Sequence, residues 1–562
     1  MMKLNERTNT CHFPLLWRGV GRSVLFFLFL LPFISYSQNR VEIVNAGSLK
    51  FAKDIGEGAK RLIGDVQFKH DNTLMFCDSA YFYSNNSLDA FGHVRIQQND
   101  GINLYGDLLK YSGETKLAVL TNNVVVNKGD MQLTTDVLNY DIATSIGYYN
   151  TPARIVNKDN VLTSDRGSFF SKTNDFNFKK NVVLTNPQFV INCDTMRYNT
   201  ISKTTYFLGP TTIKSKENLI YCEDGWYDTN NDLSRFNKNA YIITKEQKML
   251  GDSLYYDRKQ GVGRGYRNVQ IIDTTQNLFI KGDYAIHYEL ENMSYVTGHA
   301  LLTQIYDKDT LYLHADTLKA MGNTIAKQSV KPKSNEELKG KDSKKGKDSK
   351  KKKDKAKEEF PVMTPTMRTN DSTGNNSKQL FAYHKVKFFK KDLQGKCDSL
   401  VYSMTDSLMR LYGSPTIWAE DSQLTADSMR LQTSGKAIQS IELTTNGFIA
   451  SQEDSVKYNQ IKGKYMKGYF KNNDLYLIKV EGSGQTIYYA KDKDKVTAVN
   501  RADASNLNIY MKDKKVGHIT FLSKPEATLY PLNQIDVKEL RLKDFSWRGR
   551  DRPKNITDIF IW

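Results

Sequence analysis

The sequence is poor in the residues and motifs that mark several common protein classes. Only five cysteines and twelve prolines are spread over 562 residues, and no paired Cys or Cys/His spacing typical of a metal site occurs. There is no phosphate loop, no zinc-protease motif and no nucleophile elbow, and the eight histidines share no motif. The sequence therefore predicts no catalytic residues, no metal and no cofactor. Paired carboxylates of a carbohydrate-active β-helix enzyme stay an open alternative, because such pairs need no fixed spacing.

Long apolar runs are also absent, with one exception near the N-terminus. Residues 24–34 are apolar, Arg18 and Arg22 precede them, and Ser35 and Ser37 supply small residues at the end. This order is typical of a secretory signal peptide cleaved after residue 37, and eleven apolar residues are too few for a comfortable membrane span. We therefore predict that residues 1–37 are a signal peptide and that the chain is exported.

Acidic residues are outnumbered, but the positive charge is local. The net charge is +18, and residues 331–357 alone hold thirteen lysines against five acidic residues. Lysine alternates there with Asp, Ser and Gly and without aromatics, which is typical of a solvated linker. We predict that residues 325–380 are a Lys-rich disordered insertion and that no nucleic acid is a partner. Contact with anionic lipid or sugar is the minor alternative.

What the sequence has is an internal repeat marked by aspartate. Five Asp residues stand 29 residues apart without drift, at Asp78, Asp107, Asp136, Asp165 and Asp194. The series continues less strictly through Asp224, Asp252, Asp283 and Asp316, and Asp398 and Asp427 are again 29 apart. A fixed period of this length indicates an array in which each unit stacks on its neighbours.

Each repeat predicts two short strands joined by polar turns, with one strand of each repeat in each of two facing sheets. Positions two and four after the Asp are usually apolar and then aromatic, which is the alternation of a half-buried strand. Leu109 and Tyr111 show it after Asp107, and an apolar residue recurs thirteen positions after the Asp, as at Phe178 and Phe207. Strand-forming residues dominate, and helix-period segments are almost absent after residue 40.

The Asp itself is predicted to mark a structural corner. Apolar residues stand three positions before the Asp and two and four positions after it. Residues separated by an odd number of positions lie on opposite faces of a regular strand, so a bulge or corner near the Asp is needed to bring these residues to one face. A row of calcium sites is disfavoured, because each repeat has only one Asp. The predicted corner residues are Asp78, Asp107, Asp136, Asp165, Asp194, Asp252, Asp398 and Asp427.

Three of the four mature cysteines, Cys77, Cys193 and Cys397, directly precede a repeat Asp. A small buried residue is the simplest interpretation of this recurring slot. A disulfide between Cys193 and Cys222 is left open, because strands on neighbouring rungs lie within disulfide reach.

The pattern divides the chain into five segments. The predicted domains are the signal peptide 1–37, a repeat block 38–324, the insertion 325–380, a second repeat block 381–530 and a non-repeat tail 531–562 that caps or docks.

The repeats, the signal peptide and the phrases from Leu109 to Val126 resemble the OstA-like family, whose relatives are periplasmic lipopolysaccharide-transport proteins. The likeness covers residues 42–324 and, more weakly, 380–530, and it is greatest to the long form found in the Bacteroidota. The resemblance implies an all-β fold, an elongated antiparallel β-jelly-roll. It implies a location in the periplasm, with association with the outer membrane as a further option. It also implies a non-enzymatic partner of lipopolysaccharide, whose lipid A acyl chains lie in the interior. Stacking with other jelly-roll proteins at the inner and outer membranes is implied too, with self-association as an alternative.

The apolar repeat positions are the predicted lipid contacts. This hypothesis covers Leu109, Tyr111, Leu138, Tyr140, Phe178, Met196, Tyr198, Phe207, Leu254 and Tyr256. A closed core would place the same residues in plain packing, and the chain would then be a structural or adhesive solenoid.

Overall fold

The fold is built almost entirely from antiparallel strands, as the repeat predicts. The computed structural model describes residues 40–322 and 379–562, apart from residues 53, 55, 57, 71, 100, 217, 245–246, 274–276, 307–308, 404, 435–436, 472–473, 493–494, 513–514 and 537–539. Within these residues 36 strands form one hydrogen-bonded sheet, and three short 3₁₀ helices are the only helical turns. The described part contains no helix that is long and apolar enough to cross a membrane. The predicted all-β jelly-roll class is confirmed. The predicted signal peptide 1–37 lies outside the described residues.

The strands before residue 323 are β1 (Glu42–Asn45), β2 (Ser48–Phe51), β3 (Lys60–His70), β4 (Thr73–Phe82), β5 (Leu88–Gln98), β6 (Ile102–Tyr111), β7 (Leu117–Lys128), β8 (Met131–Asp141), β9 (Ile146–Tyr149), β10 (Ala153–Asn157), β11 (Asn160–Ser164), β12 (Arg166–Phe170), β13 (Asp175–Asn186), β14 (Phe189–Asn199), β15 (Thr204–Ser215), β16 (Leu219–Asp228), β17 (Leu233–Ile243), β18 (Gln247–Asp257), β19 (Val262–Asp273), β20 (Leu278–Tyr288), β21 (Met293–Thr297), β22 (Leu301–Ile305), β23 (Thr310–His314) and β24 (Thr317–Met321). The strands after residue 378 are β25 (Gln379–Lys390), β26 (Leu393–Ser403), β27 (Leu408–Tyr412), β28 (Thr416–Ala419), β29 (Ser422–Thr425), β30 (Ser428–Ser434), β31 (Ala437–Gln452), β32 (Tyr458–Lys471), β33 (Asp474–Asp492), β34 (Lys495–Lys512), β35 (Lys515–Leu522) and β36 (Glu526–Pro531). The 3₁₀ helices are Leu532–Gln534, Gly549–Asp551 and Ile556–Phe560.

Most strands bend in the middle and so contribute to two facing arms. In β6, residues 108–111 pair with one half of β5 and residues 103–106 pair with the other half, with a register shift between them. We call the arm that holds the residues following each Asp arm I, and the arm that holds the preceding residues arm II. The two arms meet at the Asp corners and enclose the apolar interior, which makes the cross-section a V.

The bend arises on the strand that faces the Asp. Two consecutive residues with positive φ stand there, for example Gly92 and His93 opposite Asp78, and Asn122 and Asn123 opposite Asp107. Such residues add one position to one strand only, which kinks it and turns the chain from one arm into the other. The inserted residue is thus on the strand next to the Asp and not on the strand that carries it.

Each repeat contributes two strands to each arm, whereas the sequence interpretation placed one strand per repeat in each sheet. The difference arises because every long strand crosses the corner and runs through both arms. At about 4.8 Å per strand, each repeat advances the stack by roughly 10 Å, twice the distance expected from the sequence.

Residues 323–378 connect two neighbouring strands that are hydrogen-bonded to each other. Met321 at the end of β24 lies opposite Gln379 at the start of β25, so the sheet continues across the connection without a break. The predicted insertion 325–380 lies outside the described residues except for Gln379 and Leu380.

The tail after β36 runs back along the outside of arm II. Leu540 and Leu542 pack with Phe448, Ile487 and Tyr489 in a small outer core, on the opposite side of the arm from the interior. Further along, the guanidinium of Arg552 donates to Gln394 Oε1 at 2.8 Å, and the ring of Phe560 lies 4.6 Å from that of His314. The tail thus spans the outer face from β34 to β23 and touches strands on both sides of the 323–378 connection.

Candidate functional site

An apolar cavity of about 400 Å³ lies between the two arms in the first third of the stack. We call it the groove. Strands between β3 and β13 supply its walls, with aliphatic and aromatic side chains from both arms. Cavities of this size and lining are typical of sites for small apolar or amphipathic ligands.

The groove is centred on β8, where the packed interior is interrupted. One cluster of buried residues ends at Val124 on β7, and the next begins at Ile155 on β10. Between them, the inward side chains Leu133, Leu138 and Tyr140 are only half-buried. Apolar side chains that face inward without being fully covered leave contact surface for a ligand.

A glycine makes room opposite Tyr140. Gly147 on β9 faces inward next to Tyr140, and a Cβ placed there would lie 3.5 Å from Tyr140 Cδ2. Gly147 is therefore not required by a close backbone approach, and its φ is not positive. Its missing side chain leaves space that the groove includes.

The mouth of the groove is polar on arm II. The final residues of β3, β5 and β7 are His70, Gln98 and Lys128, and all three line the groove. Each continues the inward-facing series of its strand, as Lys128 follows Val126 and Val124. The groove is thus apolar inside and carries hydrogen-bond donors at its open edge, a combination that suits an amphipathic ligand.

The ten predicted lipid contacts divide into two groups. Five line the groove, and they are Leu109, Tyr111, Leu138, Tyr140 and Phe178. The other five lie further along the stack and are buried there without lining it, and they are Met196, Tyr198, Phe207, Leu254 and Tyr256. Phe207 is fully buried and Met196 is 2% exposed, both in a closed cluster.

Sequence reasoning left out the wall formed by arm II. Phe68, Ile96, Leu104, Val126 and Leu133 line the groove from that side. Two of them, Leu104 and Leu133, stand three residues before a repeat Asp. The recurring apolar residue at that position could have identified this wall from the sequence.

The Asp residues lie at the corner, on the side of the V opposite the mouth. Five of them pair with the second of the two positive-φ residues on the facing strand: Asp78 with His93 Nδ1 at 2.8 Å, Asp107 with Asn123 Nδ2 at 2.7 Å, Asp165 with Asn181 Nδ2 at 2.8 Å, Asp252 with Asn268 Nδ2 at 3.2 Å and Asp427 with Asn446 Nδ2 at 3.1 Å. His384 lies 3.5 Å from Asp398, and Asp194 accepts from Thr195 Oγ1 at 3.0 Å. Asp136 lies at the outer surface near Thr134 and Arg154.

The hydrogen bond that His93 donates to the Asp78 carboxylate raises the pKa of His93 above its usual value. From these contacts we propose that the Asp side chains stabilise the corner between the two arms. In the five pairs above, the carboxylate bonds the side chain of a residue whose backbone conformation is unfavourable for most amino acids.

We expect Asp165→Ala to lower the free energy of unfolding by about 1 kcal/mol, because the exposed bond to Asn181 is lost. A double-mutant cycle with Asn181→Ala, measured by urea unfolding, should show the two substitutions coupled. Asp159→Ala, which removes the same charge from an exposed turn, is the control and should have a smaller effect. A coupling energy near zero would contradict the corner role.

The four cysteines in the described residues are free and buried. The disulfide left open between Cys193 and Cys222 does not form, because these residues are two strands apart and not on neighbouring rungs. Thr211 on β15 lies between them in the register, and its hydroxyl donates to Cys193 Sγ at 3.1 Å. Burial raises the pKa of the Cys222 thiol to about 12, so this thiol stays protonated at neutral pH.

Within the described ranges, no group of three or more His, Cys, Asp or Glu side chains is arranged to hold a metal ion.

Comparison with known families agrees with the resemblance drawn from the repeats. Residues 38–194 match the family model described as OstA-like protein. The matched segment contains the five evenly spaced Asp residues and the centre of the groove. No curated protein matches the chain. Residues 38–194 therefore belong to the OstA-like family.

Proposed function

We propose that the chain is an exported lipopolysaccharide-binding transport protein that holds lipid A acyl chains in the groove and helps to bridge the inner and outer membranes. The observation that carries the proposal is the interruption of the packed interior at β8, where Leu133, Leu138 and Tyr140 face inward and stay half-covered. The OstA-like family is connected with lipid and lipopolysaccharide transport, which supports the same conclusion.

The apolar walls of the groove suit the acyl chains of an amphiphile, and its polar mouth suits the head group. Each methylene group that moves from water into an apolar site contributes about 0.8 kcal/mol, so one acyl segment along the inward face supplies substantial affinity. At the mouth, the Lys128 ammonium and the His70 imidazole can contact phosphate or sugar groups. The ligand is thus held by its chains, while its head group stays at the open edge.

The two ends of the stack support contact with similar proteins. Among the residues that the structure describes, β1 and β2 pair only with β3, and Val44, Leu49 and Phe51 near this edge are exposed. At the other end, β36 pairs within the same residues only with β34 and exposes Leu529. Open strand edges can accept a strand from another chain, so we propose stacking with other jelly-roll proteins, or self-association, at these edges.

A photocrosslinking series tests the lipid site. A photoreactive phenylalanine at Tyr140 should capture lipopolysaccharide in living cells, because this side chain lines the groove. The same group at Phe207, in the closed cluster, should capture several-fold less. Lys110, which points outward, is the control and should capture none. Capture only from the outward position would refute the proposal.

A closed structural or adhesive solenoid is the second candidate. It is favoured by the long packed cluster from Val269 to Ile509, in which most inward residues are fully buried. This alternative predicts that no lipid co-purifies with the protein, and mass spectrometry of an organic extract distinguishes the two.

A further inference from the structure

The outer face of arm I carries a continuous stripe of cationic and aromatic side chains. Six residues on the successive strands β14 to β19 lie directly opposite one another across the sheet: Arg197, Tyr206, Trp226, Arg235, Tyr255 and Arg264. We call these six residues the outer stripe. At about 4.8 Å per strand it is roughly 24 Å long.

The stripe faces away from the interior. The residues next to it in sequence, such as Met196, Phe236 and Leu254, are buried in the interior cluster, and side chains alternate between the two faces of a strand. Arg197 and Arg235 are exposed, and the four other stripe side chains are half-exposed. The tail covers arm II and not arm I, so this face remains open in the described part of the chain.

The cations lie over the aromatic rings. The guanidinium of Arg197 lies 4.3 Å from the centre of the Tyr206 ring, and that of Arg264 lies 5.6 Å from the Tyr255 ring. Arg235 Nε donates to Ser253 Oγ at 2.9 Å. These contacts hold the side chains flat along the sheet, so the rings and guanidinium planes form an extended platform.

The acidic groups on the same face are already engaged. Asp224 accepts a hydrogen bond from Asn237 Nδ2 at 3.0 Å. Asp228 and Asp257 accept backbone N–H groups of their own turns. Within the described residues, none of these carboxylates forms an ion pair with a stripe arginine. The guanidinium groups therefore have N–H donors available for an anion.

We propose that the outer stripe binds an anionic polysaccharide chain. Aromatic rings present flat amphipathic surfaces on which the apolar faces of sugar rings stack. Guanidinium groups at intervals of two or three strands bind carboxylate or phosphate groups in a bidentate manner. A linear charged glycan matches a linear stripe of alternating rings and cations. The alternative is that the cation–aromatic pairs of the stripe only stabilise the sheet, as cross-strand pairs commonly do.

The test uses the mature chain, residues 38–562, and three probes: polygalacturonate, neutral dextran and a twenty-nucleotide oligothymidine. Calorimetric titration should show saturable binding of polygalacturonate and no binding of dextran. The triple variant R197A/R235A/R264A should weaken polygalacturonate binding by about ten-fold or more, through the loss of three charge-assisted contacts. Trp226→Ala should weaken it by several-fold, while Trp226→Phe, which keeps a ring, should preserve most of it.

The control R430A/K479A/R501A removes the same charge from exposed positions outside the stripe and should bind polygalacturonate like the wild type. An equal loss in both triple variants would overturn the proposal in favour of non-specific charge attraction. Tighter binding of oligothymidine than of polygalacturonate would overturn it in favour of nucleic acid. A wild-type chain that binds no polygalacturonate would overturn it outright.

This inference goes beyond the lipid site and can fail independently of it. The groove variant Gly147→Leu should bind polygalacturonate normally, because the groove and the stripe lie on opposite faces of arm I and β9 precedes the stripe. Each triple variant is checked for unchanged circular dichroism and unfolding midpoint.

Discussion

Replacing Gly147 by leucine should abolish most lipid binding while leaving the fold intact. The new side chain enters the groove beside Tyr140, and a Cβ at this position meets only ordinary contacts, at 3.5 Å from Tyr140 Cδ2 and 4.0 Å from Asn139 O. We expect about a ten-fold loss of affinity for purified lipopolysaccharide, which corresponds to about 1.4 kcal/mol. The free energy of unfolding should be unchanged or slightly higher, because glycine weakens a strand.

A matched control for this variant exists in the same chain. Gly263 stands eleven residues after Asp252, as Gly147 stands eleven after Asp136. Its Cβ would lie 3.8 Å from Tyr256 Cδ2, but Gly263 does not line the groove. Gly263→Leu should therefore bind lipid like the wild type. If both variants lose binding equally, the groove at β8 is not the lipid site.

Removing the anchor of the tail should destabilise the C-terminal half of the stack. Leu540 and Leu542 are each 3% exposed in the outer core. The buried amide of Gln460 donates to Leu540 O at 3.2 Å and accepts from Leu542 N at 2.9 Å. Replacing both leucines by alanine should lower the free energy of unfolding by about 4 kcal/mol or more, since each buried Leu→Ala change costs about 2–5 kcal/mol.

Urea unfolding and hydrogen exchange of the β31–β34 amides measure this effect. The control pair Leu290→Ala and Leu529→Ala removes two leucines that are each 62% exposed, and it should change stability by less than about 1 kcal/mol. Equal effects of the two pairs would show that the tail contributes nothing to stability. Faster exchange confined to strands under the tail is the expected signature of a local clamp.

The corner could be predicted from the sequence, but not the strand that carries the extra residue. The odd separation between Leu104 and Leu109 requires a change of face near Asp107, whatever the rest of the molecule does. The positive-φ pair opposite each Asp varies in identity, from Gly92 and His93 to Asn122 and Asn123. Asn recurs as the second residue of several pairs, at Asn123, Asn181 and Asn268. Its place opposite the Asp became clear only from the register of the paired strands.

The inward-facing residues were predictable, but not which of them would stay uncovered. Alternation assigned Tyr140 and Met196 to the same face, and both do face inward. Tyr140 lines the groove beside Gly147, whereas Met196 is buried in a closed cluster. The volume of the neighbouring side chains decides this difference, and the alternation of one strand does not contain it. The same limit applies to Cys193 and Cys222. The sequence gives their positions relative to the repeat Asp. That β15 lies between them is known only from the strand pairing.

The sequence by itself determined the repeat, the strand alternation, the Asp corners and the inward set of apolar residues. These features follow from the covalent period of the chain and from the steric rules of a single strand. Tertiary structure decided the two strands per repeat in each arm, the open groove at β8 and the path of the tail over arm II. Each of these depends on how side chains distant in sequence share space across two arms. The 29-residue period repeats the positions of those side chains but not their volumes, so the period fixes where the interior lies and only packing fixes where it remains open.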